Sequence, residues 1–275
     1  MAVHTSVFFN DASVVAAAAA YVPLSAAVDQ VLGLRSNNLV PSTPLTLVAL
    51  AATGMEPGAL PADPPAAVMT GARIQTPRTL VSPVYVRPVN VTATFGDNPN
   101  VACFAANAVM MRAGEEIAAS VLLIGTPGTG SAGIVAWFRD RQEPVPASES
   151  YWVPFTVTAS GLDTGKWTMA NTFSFNDTSS LPAGRYAVLG MHLVQQNADQ
   201  LLCGRLVIPG AVYRPGALVL PELSSRTPLM ASDDSLGVWG HFDAQLPPTL
   251  ELFAADATVT TATITGYLRI AQVER

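Results

Sequence analysis

Residues 166–175 read KWTMANTFSF. Trp167, Met169, Phe173 and Phe175 fall on one side of an extended chain, and Lys166, Thr168, Thr172 and Ser174 fall on the other. Successive side chains of a strand point to opposite faces, so this period of two predicts a half-buried strand. The end of the chain repeats the pattern. There Ala262, Ile264, Leu268 and Ile270 alternate with Thr261, Thr263, Thr265, Tyr267 and Arg269. Residues 185–194 (RYAVLGMHLV) are apolar on both faces, which predicts a strand covered on both sides, in the interior of its sheet.

Working outward, further strand-like runs occupy residues 45–50, 79–86, 90–95, 101–111, 133–138, 151–159, 200–208, 217–220, 237–242 and 249–253. Turn signals separate them: Gly96-Asp97-Asn98-Pro99, Asp163-Thr164-Gly165, Leu181-Pro182-Ala183-Gly184, Pro209-Gly210, Arg214-Pro215-Gly216 and Pro247-Pro248. The 22 prolines and 20 glycines are spread over such junctions. Many short strands with Pro/Gly turns predict an all-β sandwich or barrel and not an alternating α/β fold. Helix signals are few. Residues 11–20 offer Asp11 or Ser13 as an N-cap before a run of alanines. Residues 113–123 place Glu115 and Glu116 in a first helical turn, but the β-branched stretch 117–124 fits a strand equally well.

Residues 54–65 (GMEPGALPADPP) form a Pro-rich loop. A second break at 139–148 (RDRQEPVPAS) divides the chain into 1–143 and 144–275, each with enough strands for a sandwich of about eight. The two parts show no sequence repeat, so any duplication is one of structure only.

The composition narrows the function. Hydrophobic residues make up 49% of the 275 and charged residues 12%, against a usual charged share of about 25%. That excludes a disordered tail protein and a coiled coil. Fourteen basic and 20 acidic residues give a net charge of −6, so the footprint of a nucleic-acid binder is missing. Lys166 is the only lysine. So few charges do not cover a free monomer of this size, which implies that much of the surface is covered by copies of the chain itself. The first eleven residues carry no Lys or Arg, so no secretory leader is expected. The uncharged span 36–55 is interrupted by Asn37, Asn38, Pro41 and Pro44 and is not expected to cross a membrane as a helix.

The motifs reduce to ordinary readings. Cys103 and Cys203 lie in apolar runs and are expected as buried thiols without a disulfide. His4, His192 and His241 have no metal-ligand spacing. Gly128, Gly130 and Gly133 match a GxGxxG pattern, but a strand-like run follows where a dinucleotide site needs a helix, so a hairpin loop is expected. Asp163-Thr164-Gly165 is the triplet of aspartic proteases. With Lys166 next to it, it reads as a hairpin turn. Trp239, His241 and Asp243 would share a strand face, as a general-base pair, a sugar platform or an edge contact. Asn90-Val91-Thr92 and Asn176-Asp177-Thr178 fit the glycosylation sequon, which has no meaning without a leader. No catalytic, cofactor-binding or metal-ligating set emerges, and the chain is not expected to be an enzyme.

Residues 184–216 (GRYAVLGMHLVQQNADQLLCGRLVIPGAVYRPG) read as two long strands and a turn. With residues 237–253 (GVWGHFDAQLPPTLELF) and the Thr-rich last strand they resemble a jelly-roll major capsid protein of an icosahedral bacteriophage. The size, the two β-rich parts and the Pro-rich middle are similar to the double jelly-roll shell proteins of small membrane-containing phages. The resemblance implies an all-β fold of two jelly rolls in tandem, or one jelly roll with an elaborated N-terminal arm. It implies self-association into homotrimers and neighbouring capsomers of a virion shell, made in the host cytoplasm. Minor capsid proteins and an internal membrane are the further partners it implies; sequence-specific nucleic-acid binding, cofactors and catalytic residues are not among its implications. Two other classes stay open. One is a β-sandwich adhesin or tail-associated carbohydrate binder using Trp137, Trp152, Trp167 and Trp239, and the other is a hydrolase with an unrecognised site.

Overall fold

A computed structural model describes residues 3–10, 20–55, 67–80, 83–86, 89–91, 101–103, 108–125, 131–176, 181–195, 201–221, 236–254 and 260–274. Before the break lie β1 (Val3–Asn10), β2 (Tyr21–Ala26), β3 (Leu32–Arg35), β4 (Asn38–Pro41), β5 (Leu45–Met55) and β6 (Ala67–Gln75). They are followed by β7 (Val84–Val86), β8 (Val89–Val91), β9 (Val101–Cys103), β10 (Val109–Met111), β11 (Ala118–Gly125) and β12 (Ser131–Arg139). After the break come β13 (Ser150–Ser160), β14 (Trp167–Met169), β15 (Thr172–Phe175), β16 (Arg185–Gln195) and β17 (Leu201–Val207). The last four are β18 (Gly216–Pro221), β19 (Gly240–Asp243), β20 (Thr249–Ala254) and β21 (Thr261–Glu274). Strands before the break pair only with one another, as do those after it.

The pairing follows from folding a long hairpin and rolling it up. In eight strands so arranged, the first pairs with the eighth, the second with the seventh, the third with the sixth and the fourth with the fifth. Rolling then joins eighth to third and seventh to fourth. After the break these pairs are β13–β21, β14–β20, β16–β19 and β17–β18, with β21–β16 and β20–β17 as the joins. Before the break they are β1–β12, β2–β11, β5–β10 and β6–β7, with β12–β5 and β11–β6. Every one of these twelve contacts is antiparallel. Each set is therefore a jelly roll, the eight-stranded double Greek key, and the chain is two jelly rolls in tandem. In each roll the first, eighth, third and sixth strands make what we term the terminal sheet. The second, seventh, fourth and fifth make the medial sheet.

Local sequence explains the strands. β21 alternates buried Ala262, Ile264, Leu268 and Ile270 with more exposed Thr261, Thr263, Tyr267 and Arg269. β16 lies between β21 on one side and β18 and β19 on the other, buried along nearly its whole length. Tyr186, Val188, Met191 and Leu193 enter the main core, while Ala187 and Leu189 join a small cluster with Val238 and Ala271. The stretch 166–175 is not one strand but two. Ala170 N–H bonds Leu250 O at 2.8 Å and Asn171 N–H bonds Thr158 O at 2.8 Å, so the chain steps from the edge of one sheet to the edge of the other. The alternation survives the step because both sheets close over one core.

The loop carrying Gly128 and Gly130 lies outside the described residues. β11 and β12, before and after it, do not pair with each other, so they are not the two strands of the expected hairpin. The same holds for Asp163-Thr164-Gly165 between β13 and β14. Residues 118–125 form β11, so the helix considered at 113–123 is absent; the one considered at 11–20 falls, except for Ala20, outside the described residues. No described helix is long and apolar enough to cross a membrane. The segment joining the rolls lies over the second roll. Val238 N–H bonds Glu143 O at 3.0 Å, and Val145 packs on the Ala187–Leu189 cluster. Gly237 (φ +72°) has no alternative here, since a Cβ would collide with Glu143 O. Far-ultraviolet circular dichroism should show a strand spectrum; a helical content above about one third would contradict this architecture.

Candidate functional site

The most concentrated chemistry lies where the two rolls meet. Cross-strand neighbours share a face, so Val7, Val135, Trp137, Ala49 and Ala51 line the outer face of the first roll's terminal sheet. All five belong to the core of the second roll rather than their own. They lie on the outer face of the second roll's medial sheet. Phe9 meets Phe253 edge-on at 5.0 Å, a Cβ on Gly133 would strike Leu202, and one on Gly165 would strike Phe9. Trp137 Nε1–H donates to Gly216 O at 2.7 Å.

A buried chain of charges crosses this seam. The Asp29 side chain is 1% exposed and accepts from His4 Nε2 (2.8 Å), Ser6 Oγ (2.9 Å), Val31 N (2.8 Å) and Leu32 N (3.3 Å). Arg205 Nη1 reaches it across the seam at 2.9 Å and also donates to Thr5 O at 3.1 Å. Arg205 Nε binds Glu251, and Arg214 Nη1 donates to the other oxygen of Glu251 at 2.6 Å. The Arg205 guanidinium lies 3.8 Å over the ring of Trp167. Burial alone would push the Asp29 carboxyl up; the His4 hydrogen bond and the Arg205 charge outweigh it and hold the group far below the carboxylate range. Burial lowers the pKa of His4 against the opposing pull of Asp29. Arg214 N–H donates to His4 Nδ1 at 3.1 Å, so the ring is neutral with its proton on Nε2.

Backbone groups complete the seam. β2 pairs with β1 at Phe8 and Phe9, and Ala27 N–H bonds Val7 O at 2.8 Å; before Val7 the second roll supplies the partners of this edge. Val3 N–H bonds Trp239 O (3.0 Å), Thr5 N–H bonds Arg214 O (3.0 Å) and Gly216 N–H bonds Thr5 Oγ1 (2.7 Å). The second roll thus closes the exposed edge of the first.

Ionic and aromatic contacts of this kind hold surfaces together; they do not form an active site, since no substrate can reach Asp29 or Arg205. Elsewhere, an open depression of about 350 Å3 is lined by Thr158, Ser160, Asn171, Thr261 and Thr263, which offer hydroxyls and an amide but no acid or base. No cluster of three His, Cys, Asp or Glu able to hold a metal occurs among the described residues.

Residues singled out by motif scatter. Asp163 is a surface group paired with Lys166 at 3.0 Å. Trp239 is in the core, His241 Nε2 lies 3.3 Å from Glu143, and Asp243 is exposed and accepts Gln245 N–H, so the three do not form one platform. Of the four tryptophans, Trp137 and Trp239 are buried and Trp167 lies under Arg205. Only Trp152 is exposed. His192 stacks on Tyr267, and burial lowers its pKa. Cys203 is a buried free thiol, pushed up by its surroundings; the side chain of Cys103 lies outside the description.

No family model and no curated protein matches the chain. Two solved structures align over nearly all of it. One is described as "The Triple Jelly Roll Fold and Turret Assembly in an Archaeal Virus": 9% identity, TM-score 0.25, covering 99% of this chain and 79% of that one. The other is described as "Life in the extremes: atomic structure of Sulfolobus Turreted Icosahedral Virus": 10% identity, TM-score 0.23, covering 98% and 80%. Likeness of this degree carries no argument, and the fold assignment rests on strand order.

Proposed function

We propose that the chain is the major capsid protein of an icosahedral virus, the role its resemblance to bacteriophage shell proteins implies. In this reading two jelly-roll domains, 1–143 and 144–275, act as one rigid brick that works by self-association and catalyses nothing. One observation carries the reading: inside the chain, the outer face of a terminal sheet packs on the outer face of a medial sheet. Each chain therefore keeps for other copies the medial face of its first roll and that part of the terminal face of its second which the connecting segment does not cover at Ala187 and Leu189. Such head-to-tail contacts generate closed rings when the rotation allows. Three chains supply six rolls, a trimer with a six-sided outline that tiles a shell. The sparse charge supports the same reading, because Lys and Glu are depleted where permanent interfaces form. The virion is then the protein's place, with minor shell proteins or a lipid layer between it and the genome.

Sedimentation of purified protein tests this. Trimers at tens of micromolar, growing into larger assemblies with concentration, are expected. A monomer that persists at those concentrations and binds glycans would replace the shell reading with the adhesin.

A further inference from the structure

One imidazole ring, that of His4, joins the two rolls, and we propose that it is an acid-operated latch. A proton taken up at Nδ1 frees the connection between Ile208 and Gly216 from the edge of β1, and both rolls stay folded. The ring spends its two nitrogens on opposite sides of the seam. Nε2–H donates to Asp29 of the first roll at 2.8 Å, and Nδ1 accepts Arg214 N–H of the second roll at 3.1 Å. The side chain has no exposure, so water does not reach either nitrogen. An imidazolium donates from both nitrogens. With Nδ1 protonated, its N–H and that of Arg214 would be two donors face to face. The closed seam therefore has no place for the second proton, and the backbone of Arg214 has to leave before the ring can charge.

The connection is placed to swing out as a unit. Arg214 holds the edge of β1 by two backbone bonds, its N–H to His4 and its carbonyl oxygen to Thr5 N–H. Between the ends, Val212 is 69% exposed, and Gly210, at φ +76°, has open space around it. The ends are fixed. Ile208 is buried, Gly216 O accepts from Trp137 Nε1–H at 2.7 Å, and a Cβ on Gly216 would collide with Gly204 O. The charged and titratable groups that face His4 are Asp29 of the segment after β2, Arg205 of β17, Glu251 of β20 and Arg214 of the connection; the Tyr213 ring lies edge-on at 6.1 Å. Once the connection is out, water reaches Nδ1 while Nε2–H keeps Asp29, and the burial that opposed the charge is gone. A proton bound only in the open state raises its population up to about tenfold for each pH unit below the ordinary 6.5. Acid thus uncovers a strand edge that neutral pH keeps closed.

Hydrogen exchange of the full wild-type chain at pH 7, 6 and 5, corrected for intrinsic rates, tests this. Protection of the Thr5 and Arg214 amides should fall up to about tenfold per pH unit below 6.5. Ala136, between β1 and β5, and Ile264 and Leu268, between β13 and β16, should keep theirs. His4→Asn and His4→Gln, which take up no proton in this range, should lose the slope. Protection of Thr5 and Arg214 that is flat with pH would overturn the latch. So would a loss shared equally by Ala136 and Ile264, because the proton would then be taken up by global unfolding, and so would a slope that survives in a folded His4 variant. Where neither variant folds, the wild-type comparison decides alone. Monomers suffice for the measurement, so its outcome is independent of the shell reading.

Discussion

Asp29→Ala should destabilise the folded chain by about 3–5 kcal/mol, a large part of the 5–15 kcal/mol typical of a protein's stability. Three side chains and two backbone amides point at this carboxylate, and removing it leaves Arg205 buried beside Glu251 with a lost partner at the seam. The pH dependence follows from the direction of two shifts. The Asp29 pKa is depressed in the fold, so its contribution is complete above the ordinary value of 3.8 and is lost only as pH falls below that. His4 is also depressed. Below its ordinary 6.5 the unfolded chain takes up a proton that the folded chain refuses, and stability falls with pH there too. Urea unfolding followed by circular dichroism at pH 7, 5 and 3 should show the wild type weakening gently below 6.5 and steeply below 4, with the second step missing in Asp29→Ala. A loss under about 1 kcal/mol at pH 7 would show that the charge chain is incidental.

Leu189→Asp should yield insoluble or unfolded protein. Leu189 is 1% exposed on β16, boxed in by Ala187, Val238 and Ala271 and by Val145 of the connecting segment. A carboxylate there has no cationic partner in its cluster, and burying it costs several kcal/mol. Leu189→Met keeps the volume and should cost less than about 1.5 kcal/mol. Expression and sedimentation of the two variants side by side would decide the point. A soluble, assembled Leu189→Asp chain would mean that the β16 surface is not closed by the segment between the rolls.

Much of the fold was legible because period-two alternation reports burial directly. Residues 261–270 declare both faces of β21, and 185–194 declare a strand with no wet side. What alternation does not report is the partner. Residues 166–175 keep one rhythm through Ala170 and Asn171 although the neighbour changes from β20 to β13. The charge chain across the seam was missed for a related reason. His4, Asp29, Arg205, Arg214 and Glu251 are far apart in sequence, and each looks ordinary alone. A signal was present: Arg205 in LLCGRLV and Glu251 in TLELFA are single charges inside apolar strands, and a charge there requires a buried partner. Trp152 was named as one of four tryptophans, and its exposure, which the sequence pattern does not report, sets it apart from the rest.

The open edge and apolar outer face of the first roll also set a timetable for synthesis. The first roll leaves the ribosome complete at Arg139, with Val7, Val135 and Trp137 bare and the amides of Val3 and Thr5 unpaired. Everything that covers them, from Trp167 to Phe253, is still to be translated. At about 5–20 residues per second the wait is on the order of ten seconds. During it the nascent chain offers other nascent chains the same sticky edge and face that it will later keep for itself. On a polysome, neighbouring copies compete for that edge. Slower translation between the two rolls would lengthen the exposure, and a holding chaperone would act on this chain before residue 253 rather than after release.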